Sequence, residues 1–226
     1  MKHSRNFIQA CLVAILACTF FIVGCGRVSM VSSKRAEKLA QDVFHPTDAN
    51  RRREAIVKIS AQSWGKKDPY LEAFALVVRN DPMELVRAAA TDALGNAGEM
   101  KYQPVVIEAL NDPADIVRLS AAEALAKLPE DAAMKPLAQA ALKDDCPKVR
   151  LASLKAISLY RHIETVRTSL AALGDADFAV RLQARTNLVD LTGIDHGYDT
   201  HRWEQVTDFE IVPPPTPKSK WWKLGE

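Results

Sequence analysis

Four times in this 226-residue chain an aspartate stands six residues before an arginine, and the arginines fall 31, 32 and 31 residues apart. The pairs are Asp81 and Arg87, Asp112 and Arg118, Asp144 and Arg150, and Asp175 and Arg181. Three residues after each arginine comes a small residue (Ala90, Ala121, Ser153, Ala184), and seven after it an aliphatic one (Leu94, Leu125, Ile157, Leu188). A unit this short cannot bury an apolar face alone, so a period near 31 residues implies units that stack on one another.

Residues 112–128 show what each unit is made of. Val117, Ala121, Ala124, Leu125 and Leu128 recur at helical spacing and form one apolar face. The opening Asp-Pro reads as a helix start, with Pro113 at the first helical position and Asp112 capping the free amides. Each unit then carries a loop and a second apolar helix. The second helices are expected near residues 69–79, 105–110, 134–142 and 163–173, with Met134, Leu137, Ala138, Ala141 and Leu142 on one face of the third. The first unit is degenerate: Arg52, Ala55 and Ile59 hold the repeat positions, but Pro46 replaces the aspartate. Breaks are expected around residues 95–99, at Pro129 and at Gly193, the last a left-handed stop. Hydrophobic residues make up 48% of the chain and aromatic ones only 7%, which suits close helix packing better than a sheet.

The recurring D-x-x-x-x-V-R-x-x-A resembles the short bacterial HEAT-like repeats first known from phycobilin lyases. The resemblance covers about residues 50–193. It implies an all-α fold, a right-handed α-solenoid of about five HEAT-like helix pairs, whose concave side is built by the second helices and binds extended partners. It also implies that Asp81, Asp112, Asp144 and Asp175 form a structural ladder with Arg87, Arg118, Arg150 and Arg181 between neighbouring repeats. A cap aspartate beside a guanidinium fork agrees with that role.

Ahead of the array, Lys2 and Arg5 precede an almost wholly apolar run over residues 7–24, the pattern of a secretory leader. The run ends I-V-G-C at Cys25, which resembles a bacterial lipoprotein signal. By that resemblance Cys25 is the lipidation site, residues 1–24 are the signal peptide, and the body sits at the cell envelope, on the outer membrane or the periplasmic face of the inner one. The run is also just long enough for an uncleaved membrane helix, and simple secretion is the third reading. Residues 25–32 read as a tether, and residues 33–193 as the array with an N-terminal capping helix started by Ser33. Without Lys2 and Arg5, 28 basic residues face 28 acidic ones, so charge gives no reason to expect nucleic acid as a partner.

Residues 194–211 resemble a cap that follows such arrays in some bacterial proteins, with Thr192, Gly193, Asp195, Gly197, Tyr198, Asp199 and Trp203 as its core. Trp203 is expected to cover the last repeat. Residues 212–226 are proline-rich and end in Trp221 and Trp222 among lysines. They read either as a disordered tail or as a docking segment for a membrane interface or a partner, with Trp203 the third candidate for docking.

Chemistry is scarce. There is no phosphate-binding glycine loop and no nucleophile elbow. Asp195, His196, Asp199 and His201 match no metal-site spacing, so neither metal nor cofactor is expected. Cys146 precedes Pro147 at a helix start, and no histidine is placed to support it. His45 and His162 read as structural. Arg51, Arg52, Arg53, Lys58, Lys66 and Lys67 read as a solvated basic face. The sequence expectation is therefore an envelope-anchored scaffold that binds protein and catalyses nothing, with a lyase-like enzyme or enzyme subunit as the alternative. A mixed-charge or apolar groove would favour a protein partner, and a surface of arginines with unpaired carboxylates would favour catalysis or nucleic acid.

Overall fold

The structure, a computed structural model, describes residues 30–205. Cys25, Trp221, Trp222 and the apolar leader lie outside the described residues. Among the described residues there are eleven α-helices and no strand. In chain order they are α1 (Met30–Asp42), α2 (Ala49–Ser60), α3 (Tyr70–Asn80), α4 (Glu84–Ala97), α5 (Gln103–Ala109) and α6 (Asp115–Leu125). They continue with α7 (Met134–Lys143), α8 (Pro147–Ile157), α9 (Ile163–Ala172), α10 (Phe178–Thr192) and α11 (Thr200–Glu204). None is long and apolar enough to cross a membrane.

The chain forms two compact units, one ending at Glu130 and one beginning at Asp131. In the first, α2, α4 and α6 pack side by side as one layer, and α3 and α5 as the other. In the second, α8 packs on α10 in one layer and α7 on α9 in the other. Two layers of successive helix pairs make this an all-α fold of the solenoid class.

The repeat positions form the interior. Val86, Val117, Val149 and Val180, each just before its arginine, are at most 1% exposed. The small residues Ala90, Ala121, Ser153 and Ala184 and the aliphatic Leu94, Leu125, Ile157 and Leu188 are fully enclosed. Small side chains three residues past the arginine let first helices approach closely, and the aliphatic ones one turn later fill the space between layers.

Several local expectations shift. Gly95 does not break α4. It lies inside the helix, buried, where a Cβ would stand 2.5 Å from Ala124 Cβ and 2.7 Å from Ala124 Cα. Its missing side chain is what brings α4 against α6. The stop is Gly98, left-handed at φ 75°, and Gly193 ends α10 in the same way at φ 71°. Ser33 does not start α1, which begins at Met30. α1 packs on α2, with Ala40 and Val43 buried. On α7, Leu137, Ala138 and Ala141 face inward, while Leu142 is 40% exposed. The apolar face there is narrower than its sequence pattern, because Leu142 lies at its edge.

The repeat aspartates are not helix caps. The N-cap positions of α4, α6, α8 and α10 fall on Met83, Ala114, Cys146 and Asp177, each two residues after the aspartate. Pro113 accordingly lies one residue before the cap; of the four first helices α4, α6, α8 and α10, only α8 has a proline in its first turn, Pro147.

Candidate functional site

Freed from capping, each aspartate closes a turn, and three of them also hold an arginine. One carboxylate oxygen accepts the N–H two residues ahead, closing a tight turn: Met83 N on Asp81, Ala114 N on Asp112, Cys146 N on Asp144 and Asp177 N on Asp175, at 2.8–3.0 Å. At Asp81, Asp112 and Asp175 both oxygens also meet the guanidinium of the preceding repeat. Arg52 donates Nε and Nη2 to Asp81 at 2.7 and 2.8 Å. Arg87 does the same to Asp112 at 2.8 Å twice, and Arg150 to Asp175 at 2.7 and 2.8 Å.

The remaining guanidinium nitrogen points back to the arginine's own repeat. Arg87 Nη1 donates to Asp81 O, Arg118 Nη1 to Asp112 O, Arg150 Nη1 to Asp144 O and Arg181 Nη1 to Asp175 O, at 2.7–3.0 Å. In the first repeat, where Pro46 replaces aspartate, Arg52 Nη1 uses His45 O instead. Arg52, Arg87 and Arg150 therefore each tie their own turn to the next one. Planar five-donor geometry makes this possible, and lysine could not do it.

Charge follows geometry. The Arg150 fork holds the Asp175 carboxyl below the ordinary carboxylate range, and the Asp177 N–H adds to the effect against burial. At Asp112, burial pushes upward, but the Arg87 fork and the Ala114 N–H together outweigh it, and the net direction is down. Arg52 thus belongs to the ladder and is 7% exposed, so it is not part of the basic face read from the sequence.

A second feature lies on the α7–α9 layer of the second unit. Lys135, Gln139, Leu142 and Lys143 of α7 face Glu164, Arg167 and Thr168 of α9 across an open groove of ≈ 310 Å³. Glu164 and Arg167 stand 3.8 Å apart on the same helix. The groove is of mixed charge with an apolar floor of Ala138 and Leu142. Sequence periodicity assigned Leu142 to the interior and so missed this groove.

The C-terminal residues separate rather than converge. Asp195 is forked by Arg185 at 2.9 and 2.5 Å and accepts Gly197 N, which holds its carboxyl down at about 2. His196 packs edge-on to Trp203, Asp199 caps α11 at Arg202 N, and the His201 ring meets Gln205. Among the described residues no three such groups gather as metal ligands would. Trp203 is fully buried and donates its indole N–H to Gly197 O, so it is an interior side chain and not a surface for docking. Cys146 is half-buried and forms no disulfide. His45 accepts Asp48 N, and His162 caps α9 through Glu164 N.

Stacked helix pairs tied by a guanidinium–carboxylate ladder define a helical-repeat protein. Residues 71–158 match the family model described as HEAT repeats. No functionally curated protein matches the sequence. Among solved structures, the fold is similar to the complex of CpcE and CpcF of phycocyanin lyase from Nostoc sp. PCC7120. That match has 22% identity and a TM-score of 0.54, and covers 77% of this chain and 69% of that one. The likeness corrects one expectation: that this chain catalyses nothing does not stand, because a lyase is built on the same fold.

Proposed function

We propose that this chain is an exported, lipid-anchored repeat protein of the cell envelope that binds a protein partner along its second-helix layer. The observation that carries the reading is the α7–α9 groove. Its lysines, Arg167 and Glu164 offer both signs of charge around an apolar floor, which suits an extended peptide segment better than a uniformly charged polymer. Anchoring rests on the I-V-G-C sequence at Cys25. A photo-crosslinking residue at Gln139 should capture a discrete partner in intact cells, while one at Glu123 on the first-helix layer should not. Equal capture at both positions refutes the groove. Labelled palmitate should enter the wild-type chain and not Cys25→Ser; label surviving that substitution removes the anchor.

The structural likeness favours a second reading, an enzyme or enzyme subunit of the lyase-like kind. Its discriminating measurement is affinity for phycocyanin, which a partner of another kind would not share.

A further inference from the structure

Among the described residues the ladder has an open end. Arg52, Arg87 and Arg150 each use Nη1 on a backbone carbonyl of their own repeat and turn Nε and Nη2 onto the aspartate of the next. Arg181 has the same anchors, Nη1 to Asp175 O at 2.7 Å and to Ala176 O at 2.9 Å. No carboxylate of the described residues meets its Nε and Nη2. The capping segment does not fill the place, since Asp195 goes to Arg185 and Asp199 to the start of α11.

The surroundings differ from those of the earlier repeats in two respects. The position three residues before the arginine is Glu84, Asp115 and Pro147 in the inner repeats but Phe178 in the last. Phe178 is 59% exposed, with the Arg181 guanidinium 5.6 Å from its ring and Tyr198 6.5 Å away. Leu182, whose counterpart Leu151 is half-buried, is 43% exposed. A preset guanidinium fork beside an exposed aromatic and an exposed leucine is a place for one carboxylate and one apolar side chain.

We infer that the outer edge of α10 docks a partner protein that supplies the missing ladder aspartate, so that a helix pair of that partner stacks on the last repeat and Arg181 forks its carboxylate. This deepens the protein-binding reading but uses a different surface from the groove. A second copy of this chain is a poor occupant: its own first repeat has Pro46 at the aspartate position, and α1 already packs on α2. The partner's chemistry is set by the three internal examples, an aspartate at a tight turn followed by an apolar helix.

The test uses the chain's own ladder element as probe. A synthetic peptide of residues 112–128 is titrated into the full chain while the arginine Nε–H resonances are followed, the Arg181 signal being identified by its loss in Arg181→Gln. The expected result is a saturable shift of the Arg181 signal at about 1 mM peptide, the range for one exposed ion pair with a small apolar contact. The Arg87 and Arg150 signals should stay fixed, and the same peptide with Asp112→Asn should bind about tenfold more weakly or not at all. No shift, or equal shifts with both peptides, overturns the inference while leaving the groove crosslinking unaffected. The full chain carrying Asp208→Asn and Glu210→Gln gives the remaining arm. If those changes alone move the Arg181 signal, the chain's own C-terminal segment fills the fork, and a partner in trans is ruled out.

Discussion

Replacing Gly95 by alanine sets two known effects against each other, and the structure decides the sign. Alanine is favoured over glycine inside a helix by about 1 kcal/mol, so a sequence-based view makes Gly95→Ala stabilising. The added Cβ would stand 2.5 Å from Ala124 Cβ and 2.7 Å from Ala124 Cα, whereas carbon atoms rest at about 3.5–4.0 Å. One of the two colliding atoms is backbone, so no rotamer change relieves it and α4 must move away from α6. Overpacking of this kind costs about 1–3 kcal/mol, and a backbone collision belongs at or above the upper end. The net expectation is a loss of about 2 kcal/mol or more. With a urea slope of about 2 kcal/mol per M, the unfolding midpoint should fall by about 1 M or more. Combining Gly95→Ala with Ala124→Gly removes the nearer collision but keeps the Cα one, so the pair should recover part of the loss beyond additivity. A single variant as stable as wild type, or more stable, would refute close helix approach as the reason for this glycine.

Other expectations follow from the ladder and the core. Arg87→Ala leaves Asp112 without its fork in a position only about a tenth exposed, and should lower stability by about 2–4 kcal/mol in urea unfolding. Ser153 buries its hydroxyl without a hydrogen-bond partner where the other three repeats have alanine, so Ser153→Ala should raise stability by about 1 kcal/mol. Asp112 and Asp175 are held below the ordinary carboxyl pKa, so the unfolded chain takes up these protons first as pH falls. Their contribution is complete above the unfolded value of about 4 and is lost as pH falls through the lower folded values. Unfolding midpoints measured from pH 7 to 3 should therefore drop steeply in acid, and Asp175→Asn should be less stable at neutral pH with a flatter acid slope. Trp203→Ala empties a fully buried site and should cost about 3–5 kcal/mol by the same measurement.

The sequence by itself determined the helices, their period and the identity of most core residues. Helical spacing, small residues three places past each arginine and aliphatic ones seven past are local signals. They say which face is apolar without reference to the rest of the chain. Tertiary structure alone decided what the charged and special residues do. Asp112 looks like a cap because local chemistry favours one; it instead closes a turn and waits for Arg87, 25 residues upstream in sequence, to be brought beside it. Gly95 looks like a breaker until Ala124 is placed against it. Leu142 looks like core, and Arg181 looks like the three arginines before it. One borders a groove and the other, among the described residues, ends the row, because those roles depend on which helix comes next to them in space, and spacing along a single helix carries no such information.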